Sequence, residues 1–212
     1  MSFNTDLEKA IDKSQRCNRN WDLSKQISDE DLRTMQVAVS KCPSKQNRVF
    51  YRVYYIQDRD IIEAIHLATD GYIYNFEENL SITNSQVLAN TLFVFVRDRE
   101  EAPIPRTKQE FDSGIDKGRF QRDEDRSLGI AAGYLSLTAN LLGYDTGYCQ
   151  CLDQKQIKKI LGTDEEILLL VGVGFRDTQR SRLEHHKIPE FTFHSFDKNI
   201  KVARKAKKGI YN

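Results

Sequence analysis

The sequence lacks the features that mark membrane-spanning, secreted and nucleic-acid-binding proteins. Its 212 residues contain no apolar run near the ~20 residues that a membrane-spanning helix needs. The polar N-terminus has no apolar core of a signal peptide, and four cysteines are too few for a disulfide framework. Lys and Arg total 32 against 31 Asp and Glu, so the chain has no basic excess for nucleic acid. We expect a cytoplasmic protein with free thiols and neither membrane nor nucleic-acid partners.

Composition and apolar patterning predict one α+β domain over residues 1–212. Hydrophobic residues make up 39% of the chain and charged residues 30%, which is typical of a globular protein. Apolar periodicity predicts helices over residues 2–14, 28–42, 60–69, 127–142 and 153–161, and strands over 49–56, 90–97 and 166–175. The second strand is almost wholly apolar, which favours burial on both faces. Helices and strands do not alternate regularly, so a sandwich is favoured over a doubly wound sheet.

End signals and charge complete the predicted organisation. Ser28 and Asp153 are good helix N-caps, and Gly162 is a good helix terminator. Residues 98–126 are dense in charge and predict a surface excursion. Residues 197–212 form a basic C-terminal tail.

Two arginines follow the first predicted helix. Arg16 and Arg19 lie three residues apart in a polar turn, with the thiol of Cys17 between them. The guanidinium fork suits phosphate and other oxyanions. By itself this pattern is typical of a solvated turn, so its meaning depends on the segments that follow.

Five segments, taken in order, resemble motifs of the nitroreductase family of FMN-dependent oxidoreductases. They are QRCNRNW at 15–21, KCPSKQNRVFY at 41–51, LGYDTGY at 142–148, QIKKILG at 156–162 and VGVGF at 171–175. Their order and spacing match the family over nearly the whole chain. Val49-Phe50-Tyr51 departs from the pattern, because the family usually has Gln-Pro-Trp there.

The resemblance implies a fold, a cofactor and partners. It implies an α+β, nitroreductase-like three-layer sandwich, with a central, mostly antiparallel sheet flanked by helices, that forms a domain-swapped homodimer around FMN. It also implies ping-pong transfer of a hydride from NADH or NADPH through flavin N5 to a small organic acceptor, such as a nitroaromatic or a quinone. The 98–126 excursion would cover the active site. No dedicated catalytic residue and no metal is expected.

Two other classes of function stay open. One is a flavin carrier or sensor without turnover of external substrate, which the altered 49–51 segment favours. The other is a nucleic-acid-binding module that uses the basic tail, although a solvated tail that wraps a partner subunit is the preferred interpretation of those residues.

The resemblance also assigns cofactor-binding positions. A fixed cation suits the anionic N1 of reduced flavin, and an amide suits the pyrimidine edge because it both donates and accepts hydrogen bonds. In the family, the second loop comes from the partner subunit. The implied residues are Arg16, Cys17 and Arg19 in the early turn; Pro43, Ser44, Lys45 and Asn47 in the second loop; Asn84 and Gln86 at the pyrimidine edge; Tyr148, Cys149 and Gln150 in a short loop over the flavin ring; and Arg180 or Arg182 at the phosphate.

Three further patterns have structural interpretations. Cys149 and Cys151 lack the spacing of a structural zinc pair, so inert thiols are favoured over zinc ligands or a redox pair. Gly172 and Gly174 lie within the last predicted strand, where they predict close backbone packing. The aromatic run over 50–55 is predicted to lie mostly in the core.

Overall fold

The fold is seen in a computed structural model that describes residues 3–75, 80–98, 107–113 and 117–179. The helices are α1 (Phe3–Ser14), α2 (Asp29–Lys41), α3 (Arg59–Leu67), α4 (Lys108–Ser113), α5 (Lys117–Leu141) and α6 (Gln154–Leu161). The strands are β1 (Tyr51–Ile56), β2 (Tyr72–Asn75), β3 (Leu80–Ile82), β4 (Thr91–Arg97), β5 (Asp145–Cys149) and β6 (Ile167–Gly174). Arg180, Arg182 and the basic tail lie outside the described residues.

Four strands form one antiparallel sheet in the order β1-β4-β6-β5, and β2 pairs with β3 in a separate hairpin. The two central strands, β4 and β6, are buried along almost their whole length. Because successive side chains of a strand point to opposite faces, an apolar run of this kind requires a layer on each side of the sheet. The prediction that β4 is buried on both faces is confirmed.

Two cores fill the spaces between the three layers. Phe93 and Phe95 of β4 pack in a cluster with residues of α2 and α5, among them Met35 and Leu135. The alternate residues of β4, Leu92, Val94 and Val96, pack on the other face with Ile62 and Ile65 of α3 and Ile157 of α6. The predicted α+β three-layer sandwich around an antiparallel sheet is therefore confirmed.

The helix ends follow the sequence signals. Ser28 caps α2, and its Oγ accepts a hydrogen bond from the amide of Asp31 at 3.1 Å. Asp153 caps α6 in the same way, accepting from the amide of Gln156 at 3.0 Å. Gly162 ends α6 at φ +64°, a conformation that only glycine adopts without strain. These three predictions are confirmed.

Other elements differ from the prediction. Helix α5 begins at Lys117 rather than at Ser127, so the second part of the predicted excursion is helical. Strand β5 and the β2–β3 hairpin were not predicted: β5 contains polar residues and a glycine, and β2 and β3 are only four and three residues long. The aromatic run is only partly buried: Tyr54 and Tyr55 are 38% and 53% exposed because β1 is an edge strand.

Among the described residues, no helix is both long and apolar enough to cross a bilayer.

Candidate functional site

The early arginine turn lies against the edge strand β5 and is held there by backbone contacts. The amide of Asn18 donates to the carbonyl of Thr146 at 2.8 Å, and the amide of Asp22 donates to the carbonyl of Phe175 at 2.8 Å. Trp21 is fully buried, and its Nε1 donates to the carbonyl of Ser85 at 2.9 Å. The turn is therefore fixed to β5, to the end of β6 and to the segment that contains Ser85.

Two glycines allow this close approach. A Cβ at Gly147 would lie 2.6 Å from both the carbonyl oxygen of Asn18 and the Cβ of Gln86. A Cβ at Gly172 would lie 2.2 Å from the carbonyl oxygen of Gln86. The early turn and the 84–86 segment thus pack directly on the bare backbone of paired strands, as Gly172 and Gly174 led us to expect.

Arg19 is the half-buried cation of this region. Its guanidinium donates to the carbonyl of Thr83 at a long 3.4 Å, the one hydrogen bond that it makes to a described residue. Its charge also acts on the thiol of Cys149, where it lowers a pKa that burial raises. With five N–H donors on a guanidinium, Arg19 keeps the capacity to bind an anion or a carbonyl.

The other two residues of the turn are more open. Arg16 and Cys17 are both exposed, and the Cys17 thiol lies 3.9 Å from the carbonyl of Tyr148. An exposed guanidinium suits a charged group such as a phosphate that stays partly in solvent.

The two predicted amides are buried and adjacent. Asn84 donates from Nδ2 to the carbonyl of Asp70 at 2.7 Å and accepts from Nε2 of Gln86 at 3.1 Å. The Oε1 of Gln86 is buried and has no hydrogen-bond partner within the described part of the chain. Leaving a buried acceptor unsatisfied costs ~1–3 kcal/mol, so the arrangement indicates a place for a donor from outside.

Tyr148 and Cys149 lie on β5 rather than in a loop, and only Gln150 follows the strand. Tyr148 donates from Oη to the carbonyl of Ala132 in α5 at 3.0 Å, so its ring packs towards that helix. Burial raises the pKa of Cys149 to about 11, which makes it an inert thiol. Its Sγ donates to the carbonyl of Cys151 at 3.7 Å. Among the described residues, no three His, Cys, Asp or Glu side chains come together as a metal site.

The second loop lies at the opposite edge of the sheet. It leads from α2 into β1, whereas the early turn lies on β5. Strands β4 and β6 lie between β1 and β5, which are therefore about 14 Å apart. Within the loop, Lys45 pairs with Asp123 of α5, Ser44 donates from Oγ to the carbonyl of Arg48 at 2.6 Å, and Asn47 has φ +54°. Pro43 is exposed.

A cavity of about 750 Å³ lies beside this loop, between α2 and β1. Its lining includes Arg33, Val37, Ser44, Asn47, Tyr51 and Tyr55. One chain therefore brings Arg19, Asn84, Gln86 and Cys149 together and leaves Ser44, Lys45 and Asn47 at another edge.

Sequence reasoning gave no role to Trp21 or Asn18, the two residues that fix the turn. Trp21 could have been recognised from the sequence, because it is the chain's single tryptophan and directly follows the arginine motif. Asn18 could not, because the sequence does not distinguish a buried asparagine in a polar turn from an exposed one.

Comparison with known proteins matches residues 13–175 to the model of the nitroreductase family. A nitroreductase family protein from Clostridium novyi NT superposes with TM-score 0.62 at 18% identity, over 87% of this chain and 92% of that one. A protein from Exiguobacterium sibiricum whose structure contains FMN gives 0.62 at 16%, over 90% and 95%. An FMN-dependent nitroreductase from Clostridium difficile gives 0.56 at 16%, over 78% and 86%. No curated protein matches.

Proposed function

The chain belongs to the nitroreductase family, and from this premise we propose that it is an FMN-dependent oxidoreductase that passes a hydride from NADH or NADPH to a small organic acceptor. The observation that carries the proposal is that the early turn and the 84–86 segment both pack on β5, where Arg19 donates to the carbonyl of Thr83 and the buried Gln86 Oε1 has no donor among the described residues. A cation and an acceptor in this one region suit a planar group with carbonyl and N–H edges.

The residues present fit the flavin. The pyrimidine edge of an isoalloxazine carries both carbonyl acceptors and an N–H donor, which complement Arg19 and the Gln86 oxygen respectively. Arg16 is an exposed cation for the phosphate end. Bound FMN would supply the hydride chemistry at its N5, and an acceptor such as a quinone or a nitroaromatic would take up the two electrons and leave in reduced form, a quinone as the hydroquinone.

The chain's own residues would orient the flavin and stabilise the negative charge that develops on it. Trp21 and Asn18 fix the turn, so Arg19 holds its charge in place without reorganisation when negative charge develops on its partner. No described side chain is arranged as an acid or base for the substrate, so we assign protons to solvent.

We propose that the site is completed by a second copy of the chain, in a homodimer. The placement of the second loop and the early turn at opposite edges of the sheet supports this, because the second loop of another copy could complete the site at the early turn. A stripe of exposed apolar residues on α5 gives a surface for it: Ile130, Tyr134 and Leu141 are 39%, 46% and 44% exposed at spacings that place them on one helix face.

The first experiment is to purify the chain, record its visible spectrum and release any chromophore with heat. We expect a yellow protein that releases FMN. Replacing Arg19 with Gln should weaken FMN binding by about 10-fold or more, since a hydrogen bond to a charged group contributes ~1.5–3 kcal/mol. Lys155→Gln, which removes an exposed cation of α6 away from the early turn and the second loop, is the control. A colourless protein that takes up no FMN would contradict the proposal.

A flavin carrier or sensor remains the second candidate, and one observation favours it. Tyr51 lies in the segment that departs from the family pattern, and its phenol donates to the carbonyl of Val39 in α2 at 2.9 Å, so this O–H is already engaged within the chain. Anaerobic addition of excess NADH or NADPH separates the two. Bleaching of the flavin spectrum, with reoxidation by a quinone or a nitroarene, supports the enzyme, whereas a flavin that stays oxidised supports the carrier.

A further inference from the structure

Two neighbouring carboxylates on the first turns of α5 are buried and reach different parts of the molecule. Asp123 and Glu124 are 7% and 2% exposed. Glu124 pairs with Nε of Arg97, the last residue of β4, at 2.8 Å, and the same guanidinium pairs with Glu166 at 3.0 Å. These contacts fix the start of α5 to the ends of the two central strands.

Asp123 reaches the second loop instead. Its two carboxylate oxygens lie 2.5 Å and 2.7 Å from Nζ of Lys45, which is 78 positions away in the sequence. The Lys45 side chain is 31% exposed, whereas that of Asp123 is 9% exposed. If Lys45 moved away to bind an anion elsewhere, a buried carboxylate would lose its main counter-charge, which is unfavourable.

The rest of the loop depends on this anchor. Ser44 donates from Oγ to the carbonyl of Arg48, and the amide of Asn47 donates to the carbonyl of Ser44 at 3.2 Å. These bonds are local and set the shape of the loop, while the Lys45–Asp123 pair sets where that shape is placed relative to α5 and, through Glu124 and Arg97, relative to the sheet.

We propose that Asp123 is a positioning residue for the cofactor site: it holds Lys45 and thereby places Ser44 and Asn47 where a second copy of the chain would present them to FMN. Lys45 then fixes the position of the loop and is not a ligand of the flavin. The inference rests on the proposed function only in taking the second loop as part of the flavin site.

The test is a double-mutant cycle with Asp123→Asn, Lys45→Gln and the two combined. Two quantities are measured: hydrogen exchange of the 44–50 amides in the flavin-free protein, and the FMN dissociation constant. We expect each single variant to speed exchange and to weaken FMN binding by about fivefold or more, the size of coupling between contacting residues. The double variant should be no worse than either single variant, because both act through one contact.

The controls separate positioning from general damage. Asp6→Asn removes an exposed pair with Lys9 on α1, 3.9 Å apart, and should change neither quantity. Asp123→Glu keeps the carboxylate and should restore part of the loop protection. If Asp123→Asn does not fold, Lys45→Gln and Lys45→Arg give the same comparison, with Arg retaining protection and Gln losing it.

Two results would overturn the inference. One is unchanged exchange of the loop in Asp123→Asn. The other is a loss of FMN binding in Lys45→Gln that is much larger than in Asp123→Asn and adds to it, which would make Lys45 a direct ligand. Failure of the wild-type chain to bind FMN would instead defeat the proposed function, and hydrogen exchange in the flavin-free protein would still decide whether Asp123 holds the loop.

Discussion

Single residues decide how closely the early turn can approach the sheet. Trp21 anchors the turn through its buried ring and its bond to Ser85, and Gly147 and Gly172 leave room for the segments that cross β5 and β6. A side chain at Gly147 would meet both the turn and Gln86, and one at Gly172 would push the 84–86 segment away from the strands. The candidate site therefore depends on missing Cβ atoms as much as on the arginine and amides that would bind a ligand.

We expect Gly172→Ala to destabilise the protein by ~1–3 kcal/mol, because its Cβ would meet the Gln86 backbone and force the 84–86 segment outward. Urea denaturation measures the free energy of unfolding. Gly129→Ala in α5 is the control: nothing lies within 4 Å of its Cβ, so a gain of ~0.5–1 kcal/mol is expected. Equal stability of the two variants would argue against the close packing.

We expect the cysteines to fall into two reactivity classes. The thiolate is the reactive form, and burial raises the pKa of Cys149 to about 11, so at pH 8 little of it is ionised. Cys17 and Cys151 are exposed. Iodoacetamide labelling with peptide mass mapping should modify these two first, and labelling of Cys149 should speed up as pH rises towards 11. Labelling of Cys149 as fast as Cys17 at pH 8 would contradict this.

At the scale of elements, local signals fix the boundaries of α2 and α6 better than they fix the first residue of α5, a long helix that begins with charged residues. The caps at Ser28, Asp153 and Gly162 are complete within a few residues, so they act as they do in any protein. The start of α5 has no such signal. Its first turns are charged, and two of their carboxylates, Asp123 and Glu124, are buried against partners that are distant in the sequence.

We expect Ser28→Ala to lower the free energy of unfolding by ~1 kcal/mol, because the amide of Asp31 loses its acceptor. Thermal or urea unfolding followed by circular dichroism measures it. Thr34→Ala, within the same helix, removes an exposed hydroxyl that only bonds back to the carbonyl of Glu30, and should be neutral or slightly stabilising. A loss at Thr34 as large as at Ser28 would contradict the capping role.

At the scale of the whole molecule, the three layers bury the sheet but leave apolar surface on α5 and a groove beside β1. The described residues leave two such surfaces uncovered: the stripe of Ile130, Tyr134 and Leu141, and the cavity next to the second loop. Strand β1, which forms an edge of the sheet within the described residues and exposes Tyr54 and Tyr55, is a further surface of this kind. These features support the proposed dimer, in which each flavin site would draw residues from both copies.

We expect Tyr134→Glu to shift the protein from dimer to monomer, because a charge would be buried in the apolar stripe. Sedimentation velocity measures the mass, and FMN binding should fall with it, since the second loop would be lost from the site. Leu67→Glu, a 73% exposed leucine of α3 in the opposite layer, should leave the dimer intact. A Tyr134→Glu protein that stays dimeric, or a wild type that is monomeric, would contradict the assignment of this face.

The sequence by itself determined the α+β class, the central strands, the helix caps and the family. Each of these depends on apolar runs, caps or motifs whose own residues lie within about a dozen positions of one another. It also carried the order of the motifs, which allowed the candidate residues to be named before the fold was known.

Only the tertiary structure decided which of those residues meet. It put the early turn and Gln86 against β5, gave Lys45 a partner in Asp123, and left the Gln86 oxygen without a donor among the described residues. It also turned part of a charged excursion into helix and part of a predicted loop into β5. The physical reason is that a polar side chain is buried only where a hydrogen-bond or charge partner offsets the loss of water. Its place depends on a partner that is far along the chain and near only after the sheet has formed.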